Sequence, residues 1–170
     1  MATSAATVAA VGRDVPSTEL GTTLMHEHIF VLSPELRKDI PGAVTDDELV
    51  AFAVGRLAEA SAAGIGTIVD ATIIGQGRDV GLLARVAAAS PVHIVAATGV
   101  FVNDELPGYF RARQPRRADQ PDVLTETFIR HVTVGIDGTT VRAGVLKCTT
   151  EDPSPGPAAQ RAIQIGRAHV

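Results

Sequence analysis

With 170 residues, 45% hydrophobic, and many Val, Ile, Leu and Ala, the chain can bury one packed core and is too apolar for a disordered segment. Its 15 Lys plus Arg against 19 Asp plus Glu give a formal charge of -4 with no basic run, so nucleic acid is not an expected partner. A single cysteine, Cys148, rules out an internal disulfide; apolar runs stay short of the roughly 20 residues of a membrane span, so no membrane partner is expected.

Met1 to Ala10 lacks the basic start and long apolar stretch of a secretory signal, which makes the cytoplasm the expected compartment. The opening reads as a β-hairpin around Gly12-Arg13-Asp14, and Thr22 to Ile29 alternates in the manner of a first core strand. Thr45-Asp46-Asp47-Glu48 is a capping box that predicts a helix start; Leu49, Phe52, Ala53 and Leu57 follow at helical spacing and Gly64 offers a left-handed stop. Thr67-Ile68-Val69-Asp70 is continuous, β-branched and short, as in a strand buried on both faces. Gly77-Arg78-Asp79 leads into a helix through Val80, Leu83 and Val86; Pro91 ends it, and Val92 to Ala97 gives a third strand. Phe101 to Asp122, with several prolines and a basic cluster at Arg111, Arg113, Arg116 and Arg117, reads as a long irregular loop. A helix from about Leu124 to Val134 follows, with Phe128 and Ile129 on its apolar face and room for His131 on the exposed one. Ala143 to Lys147 is the fourth strand.

Strands alternating with helices predict an α/β fold whose parallel sheet is either open and doubly wound or part of a (β/α)8 barrel. In both, ligands gather at the C-terminal ends of the strands, where His26, His28, Asp70, Thr98 and Lys147 fall. His26 and His28 are two apart on a strand and so share a face, from which two imidazoles can grip one divalent ion; the competing reading is a packed or exposed pair. Lys147 is either a snorkelling or ion-paired lysine, or an amine that desolvation keeps neutral and able to take up carbon dioxide as a carbamate. Asp70 reads equally as an acceptor that orients a histidine and as a strand-end cap. His93 reads as a core residue, Cys148 as a small buried filler, and the arginines as a solvated loop.

With His-x-His on strand one, Asp closing strand two and Lys closing strand four, the chain resembles the phosphotriesterase family and its lactonase-like relatives. The most specific segment is Gly21-Thr22-Thr23-Leu24-Met25-His26-Glu27-His28; Gly77-Arg78-Asp79, His93 to Gly99 and Ala143 to Lys147 follow in family order. The resemblance implies the N-terminal half of a (β/α)8 TIM barrel of the metal-dependent hydrolase type, with about four parallel core strands and a short hairpin, as one incomplete domain over 1–170. It implies two divalent metal ions, zinc first with cobalt, manganese or iron as alternatives, His26 and His28 holding one and carboxylated Lys147 bridging both. Asp70 and Phe101 would lie around that centre or its pocket. A hydroxide activated between two metals would attack a small-molecule ester: a phosphotriester, a lactone or a related carboxylic ester. A homodimer is the assembly the resemblance suggests.

Leu106 to Phe110 looks closer to the lactonase-like branch, but Phe101 stands where that branch commonly has a tyrosine. The family's later two metal histidines and an aspartate have no counterparts before Val170, and Ile165 to Val170 departs from the expected helix and resembles translated sequencing adapter. A truncated reading frame, a 165–170 tail foreign to the protein (His169 included) and no turnover by this chain alone are therefore expected. The rival expectation is a non-catalytic half-barrel that serves as a binding or assembly module.

Overall fold

The computed structural model describes residues 6–33, 37, 39–40, 42–102, 105–115, 122–149 and 156–167. The expected hairpin is present: β1 (Thr7–Ala10) pairs antiparallel with β2 (Arg13–Pro16), Val8 opposite Val15. Next come β3 (Thr22–Glu27), β4 (Ile65–Asp70), β5 (His93–Val100) and β6 (Val145–Cys148), parallel neighbours in the order β3-β4-β5-β6, curled into a half-barrel. The open doubly wound alternative is thereby set aside.

Parity along the strands gives the sheet two faces. Ile68, Ile94 and Ala96 pack against Ala53 and Leu57 of α1 (Asp46–Ala62) and Val80, Leu83 and Val86 of α2 (Val80–Ala89). Val69 and Val95, on the opposite, concave face, close over Ala10 and Val15 of the hairpin, which plugs the end of the sheet away from the strands' C-termini. Burying each such Ile or Val contributes about 1.5–3 kcal/mol. A third cluster joins Val100 and Val102 to Phe110, Leu124, Phe128 and Ala162, bringing together α3 (Gly108–Ala112), α4 (Val123–Thr133) and α5 (Pro157–Arg167).

Local chemistry sets the helix ends. Thr45 Oγ1 accepts from the Glu48 amide at 3.3 Å while Glu48 Oε2 accepts from the Thr45 amide at 2.8 Å, the capping box foreseen in the sequence. Asp79 caps α2 through the Leu82 amide at 2.9 Å, and Asp122 caps α4 through the Leu124 amide at 3.2 Å. Arg161 of α5 also donates to Asp122, at 2.7 Å, tying the two helices together. Gly64 takes φ +90° just after α1, as its role as a left-handed stop requires.

Several expectations change. Phe52 is 71% exposed and Ile129 40% exposed, whereas His131, assigned to the exposed face of its helix, is 6% exposed. Residues on an α-helix advance 100° each, and here the buried stripes run through Ala53 and Leu57 on α1 and through Leu124, Phe128 and His131 on α4, leaving Phe52 and Ile129 on the outward side. The loop after β5 contains a regular element, α3, and the final helix runs on through Arg167 with Ile165 in the core. His93 opens β5 half-buried, within 3.3 Å of Arg13 Nη2, instead of inside the core. Arg116, Arg117 and His169 lie outside the described residues.

Candidate metal centre

The pairing of β3 with β4 positions the histidines. Leu24 pairs with Ile68 but Glu27 pairs with Asp70, so β3 spends three residues where β4 spends two. Paired residues in a parallel ladder share a face, and this extra residue breaks the alternation: Leu24 and Glu27 lie on the helix-covered side and His26 and His28 on the concave side. Uninterrupted alternation from Thr22 to Ile29, as the sequence suggested, would have set both histidines beside Leu24 on the helix-covered side. The two rings stand edge to face, centroids 5.4 Å apart, and both residues are exposed.

Behind His28 is a buried polar group. Its Nδ1 lies 2.9 Å from Thr72 Oγ1, and that hydroxyl is 2.5 Å from Asp70 Oδ1 and 3.2 Å from the Phe30 carbonyl oxygen. The Thr72 amide donates to the same Asp70 oxygen at 2.9 Å. Thr72 and Asp70 are 1% and 4% exposed. Burial pushes the Asp70 carboxyl above its ordinary value, against the opposing pull of the Thr72 hydrogen bonds and the charges of His28 and Arg78. Burial, then the nearby Lys147 charge, lower His28, opposed by Asp70.

Lys147 reaches the same end of the sheet from β6. Its Nζ donates to the Ala71 carbonyl at 3.0 Å and to Gln76 Oε1 at 3.4 Å, both neutral acceptors. Burial draws its pKa down, with Asp70 opposing. Gly99 stands opposite Lys147 in the ladder at φ +146°, and a Cβ there would sit 1.9 Å from the Lys147 carbonyl oxygen. Only glycine lets the two strands approach so closely.

The structure thus brings His26, His28, Asp70 and Lys147 to one end of the sheet, with Asp70 reaching His28 through Thr72. Thr98 turns to the other side: its hydroxyl bonds His131 Nδ1 at 2.8 Å behind the sheet. Phe101 is half-buried against the turn at Gly75, and its amide donates to the Ile74 carbonyl at 2.8 Å. Thr72 and Gln76 were missed by sequence reasoning; both lie in the turn beyond β4, where only the β3–β4 and β5–β6 registers reveal their neighbours. Of the basic loop, Arg111 pairs with Glu105, and Arg113 lies 3.9 Å over the Tyr109 ring. Cys148 is half-buried, its thiol pushed up by burial, as a packing residue should be.

The donor types suit a divalent ion in part. Two imidazoles on one face, one of them with its Nδ1 already engaged, offer two nitrogen ligands. Among the described residues no three His, Cys, Asp or Glu side chains converge as a metal-holding group, so any further ligand must come from Lys147 or from beyond them. No helix among the described residues is long and apolar enough to cross a membrane.

Comparison with known proteins gives a consistent result. The profile of the phosphotriesterase family matches residues 6–169. A phosphotriesterase homology protein of Mycobacterium tuberculosis is 41% identical over 158 residues, covering 91% of this chain and 48% of that protein. An aryldialkylphosphatase of Saccharolobus solfataricus is 35% identical over 144 residues, covering 84% and 44%. Among solved structures, the phosphotriesterase from Mycobacterium tuberculosis superposes with a TM-score of 0.87 at 38% identity, over 96% of this chain and 52% of that one. A mutant organophosphorus hydrolase from Deinococcus radiodurans gives 0.82 at 30% identity, over 95% and 49%. The chain spans about half the length of the curated relatives it matches.

Proposed function

The chain belongs to the phosphotriesterase family, and from that premise we propose that it supplies one half of a metal-dependent hydrolase of small-molecule esters. The observation that carries this reading is the break in β3 pairing, which turns His26 and His28 onto the concave face beside Lys147's end of the sheet. His26 and His28 would hold one of two divalent ions, zinc being our first choice. Lys147, freed of its ammonium proton, would bond the carbon of carbon dioxide through Nζ with loss of a second proton, and so offer a carboxylate as a further ligand. Bound ions of this kind supply Lewis acidity toward a phosphoryl or carbonyl oxygen and make water acidic enough to attack at neutral pH.

The chain's own residues orient and exclude. Thr72 and Asp70 fix the His28 ring from behind, Gln76 and the Ala71 carbonyl aim the Lys147 amine, and the hairpin closes the far end of the concave face with Ala10 and Val15. Phe101 would line the pocket with an apolar ring in place of a hydroxyl. Names among the relatives point to phosphotriesters as the first substrate class to try, with lactones second.

A chimera in which this chain replaces the matching half of the Mycobacterium tuberculosis relative tests the reading. We expect hydrolysis of an aryl dialkyl phosphate or a lactone that a chelator abolishes and that the His26→Ala/His28→Ala double variant lacks. A folded chimera that binds metal but cleaves neither ester class would sink the ester assignment.

A further inference from the structure

We infer that Thr72 is a positioning residue that sets the tautomer of His28, holding the proton on Nδ1 and turning a bare Nε2 toward the site. The inference rests on the metal-binding reading of His28 and adds which nitrogen is offered and what enforces it.

The Thr72 hydroxyl has a single hydrogen to give, and three polar atoms surround its oxygen: Asp70 Oδ1 at 2.5 Å, His28 Nδ1 at 2.9 Å and the Phe30 carbonyl at 3.2 Å. An ionised carboxylate and a carbonyl can only accept. Asp70 is moreover held as an acceptor by the Thr72 amide at 2.9 Å, on the same oxygen. With Asp70 ionised, a hydroxyl that gave its hydrogen to His28 would leave Asp70 Oδ1 facing a bare oxygen lone pair at 2.5 Å with no proton between them. The arrangement is satisfied when the hydroxyl donates to Asp70 and His28 Nδ1–H donates to the hydroxyl. Thr72 is 1% exposed, so water does not stand in for a missing partner. A neutral imidazole carries one ring proton, and with it on Nδ1 the other nitrogen is a free donor of electrons on the exposed side of the ring. Asp70 thereby acts on His28 at one remove, through a hydroxyl, where a carboxylate more often contacts a metal-binding histidine directly.

The test is two-bond nitrogen–proton correlation of the imidazoles in the 170-residue, metal-free, 15N-labelled chain at neutral pH, with His28 assigned from a His28→Gln variant. Wild type should show a protonated Nδ1 and a bare Nε2 at His28. Thr72→Ser, which keeps the hydroxyl, should look the same, while Thr72→Val should move the proton toward Nε2. In a parallel zinc titration, Thr72→Val should bind about 10- to 100-fold more weakly, with Thr72→Ser close to wild type. The wild-type spectrum decides even where Thr72→Val does not fold: a proton on Nε2 overturns the inference, as does a folded Thr72→Val that keeps it on Nδ1. A chain with the proton on Nδ1 that binds no zinc would instead count against the metal reading and leave the tautomer assignment standing. Zinc binding through His26 and His28 with the proton on Nε2 would do the reverse.

Discussion

Two histidines of this chain present the same atom to the same kind of partner: His28 Nδ1 meets the Thr72 hydroxyl at 2.9 Å and His131 Nδ1 meets the Thr98 hydroxyl at 2.8 Å. Their surroundings differ. His28 is exposed on the concave face, with a carboxylate behind its threonine and a lysine ammonium nearby. His131 is sealed between α4 and the sheet; burial, with Arg78 and Arg130 adding positive charge and Asp137 opposing, lowers its pKa to about 4. The pair teaches that a histidine–threonine contact has no fixed meaning. Backed by Asp70, it holds a ring that stays exposed; closed on every side, it satisfies a buried ring that cannot readily take a charge.

The two histidines should differ most in what their removal costs the fold. His131→Ala removes a buried ring and leaves the Thr98 hydroxyl, itself 0% exposed, without its partner. Urea unfolding should show a loss of about 3 kcal/mol; a loss under about 1 kcal/mol would mean His131 is not the staple described. Next in size is the pH dependence. Burial pushes the folded His131 down to about 4 from the ordinary imidazole value of 6.5, so as pH falls the unfolded chain binds this proton first. Its contribution is complete above that unfolded value and drains away toward the folded one, on the order of 3 kcal/mol in all. The wild-type urea midpoint should therefore fall across this window more steeply than that of His131→Asn, and equal slopes would contradict the assignment. The smallest effect belongs to the exposed member: His28→Ala should shift stability by no more than about 0.5 kcal/mol, and a loss of several times that would make His28 a packing residue.

Much of this was legible in the sequence. The capping box at Thr45 and Glu48, the β-branched run ending at Asp70 and the glycine at 64 each encode their structure within a few residues, because hydrogen bonds and backbone sterics act locally. His26, His28 and Lys147 could be named as candidates because residue type and strand position were enough. What failed depended on geometry across the sheet or around a helix. The extra residue in β3 exists only relative to β4, so alternation along Thr22 to Ile29 could not show which face receives the histidines. Thr72 lies 44 residues from His28 and meets it through that same register. The burial of His131 was within reach, since Leu124, Phe128 and His131 sit at i, i+4 and i+7, but choosing the greasier Ile129 for the apolar face hid it.

If His26 and His28 together form the metal-holding face of this chain, removing both must remove bound metal. Elemental analysis of the purified 170-residue chain after equilibration with zinc, alongside the His26→Ala/His28→Ala double variant, should find zinc in the former and none in the latter, with equal far-ultraviolet circular dichroism. Zinc retained by the folded double variant, or absent from both, would contradict a metal-holding role for His26 and His28.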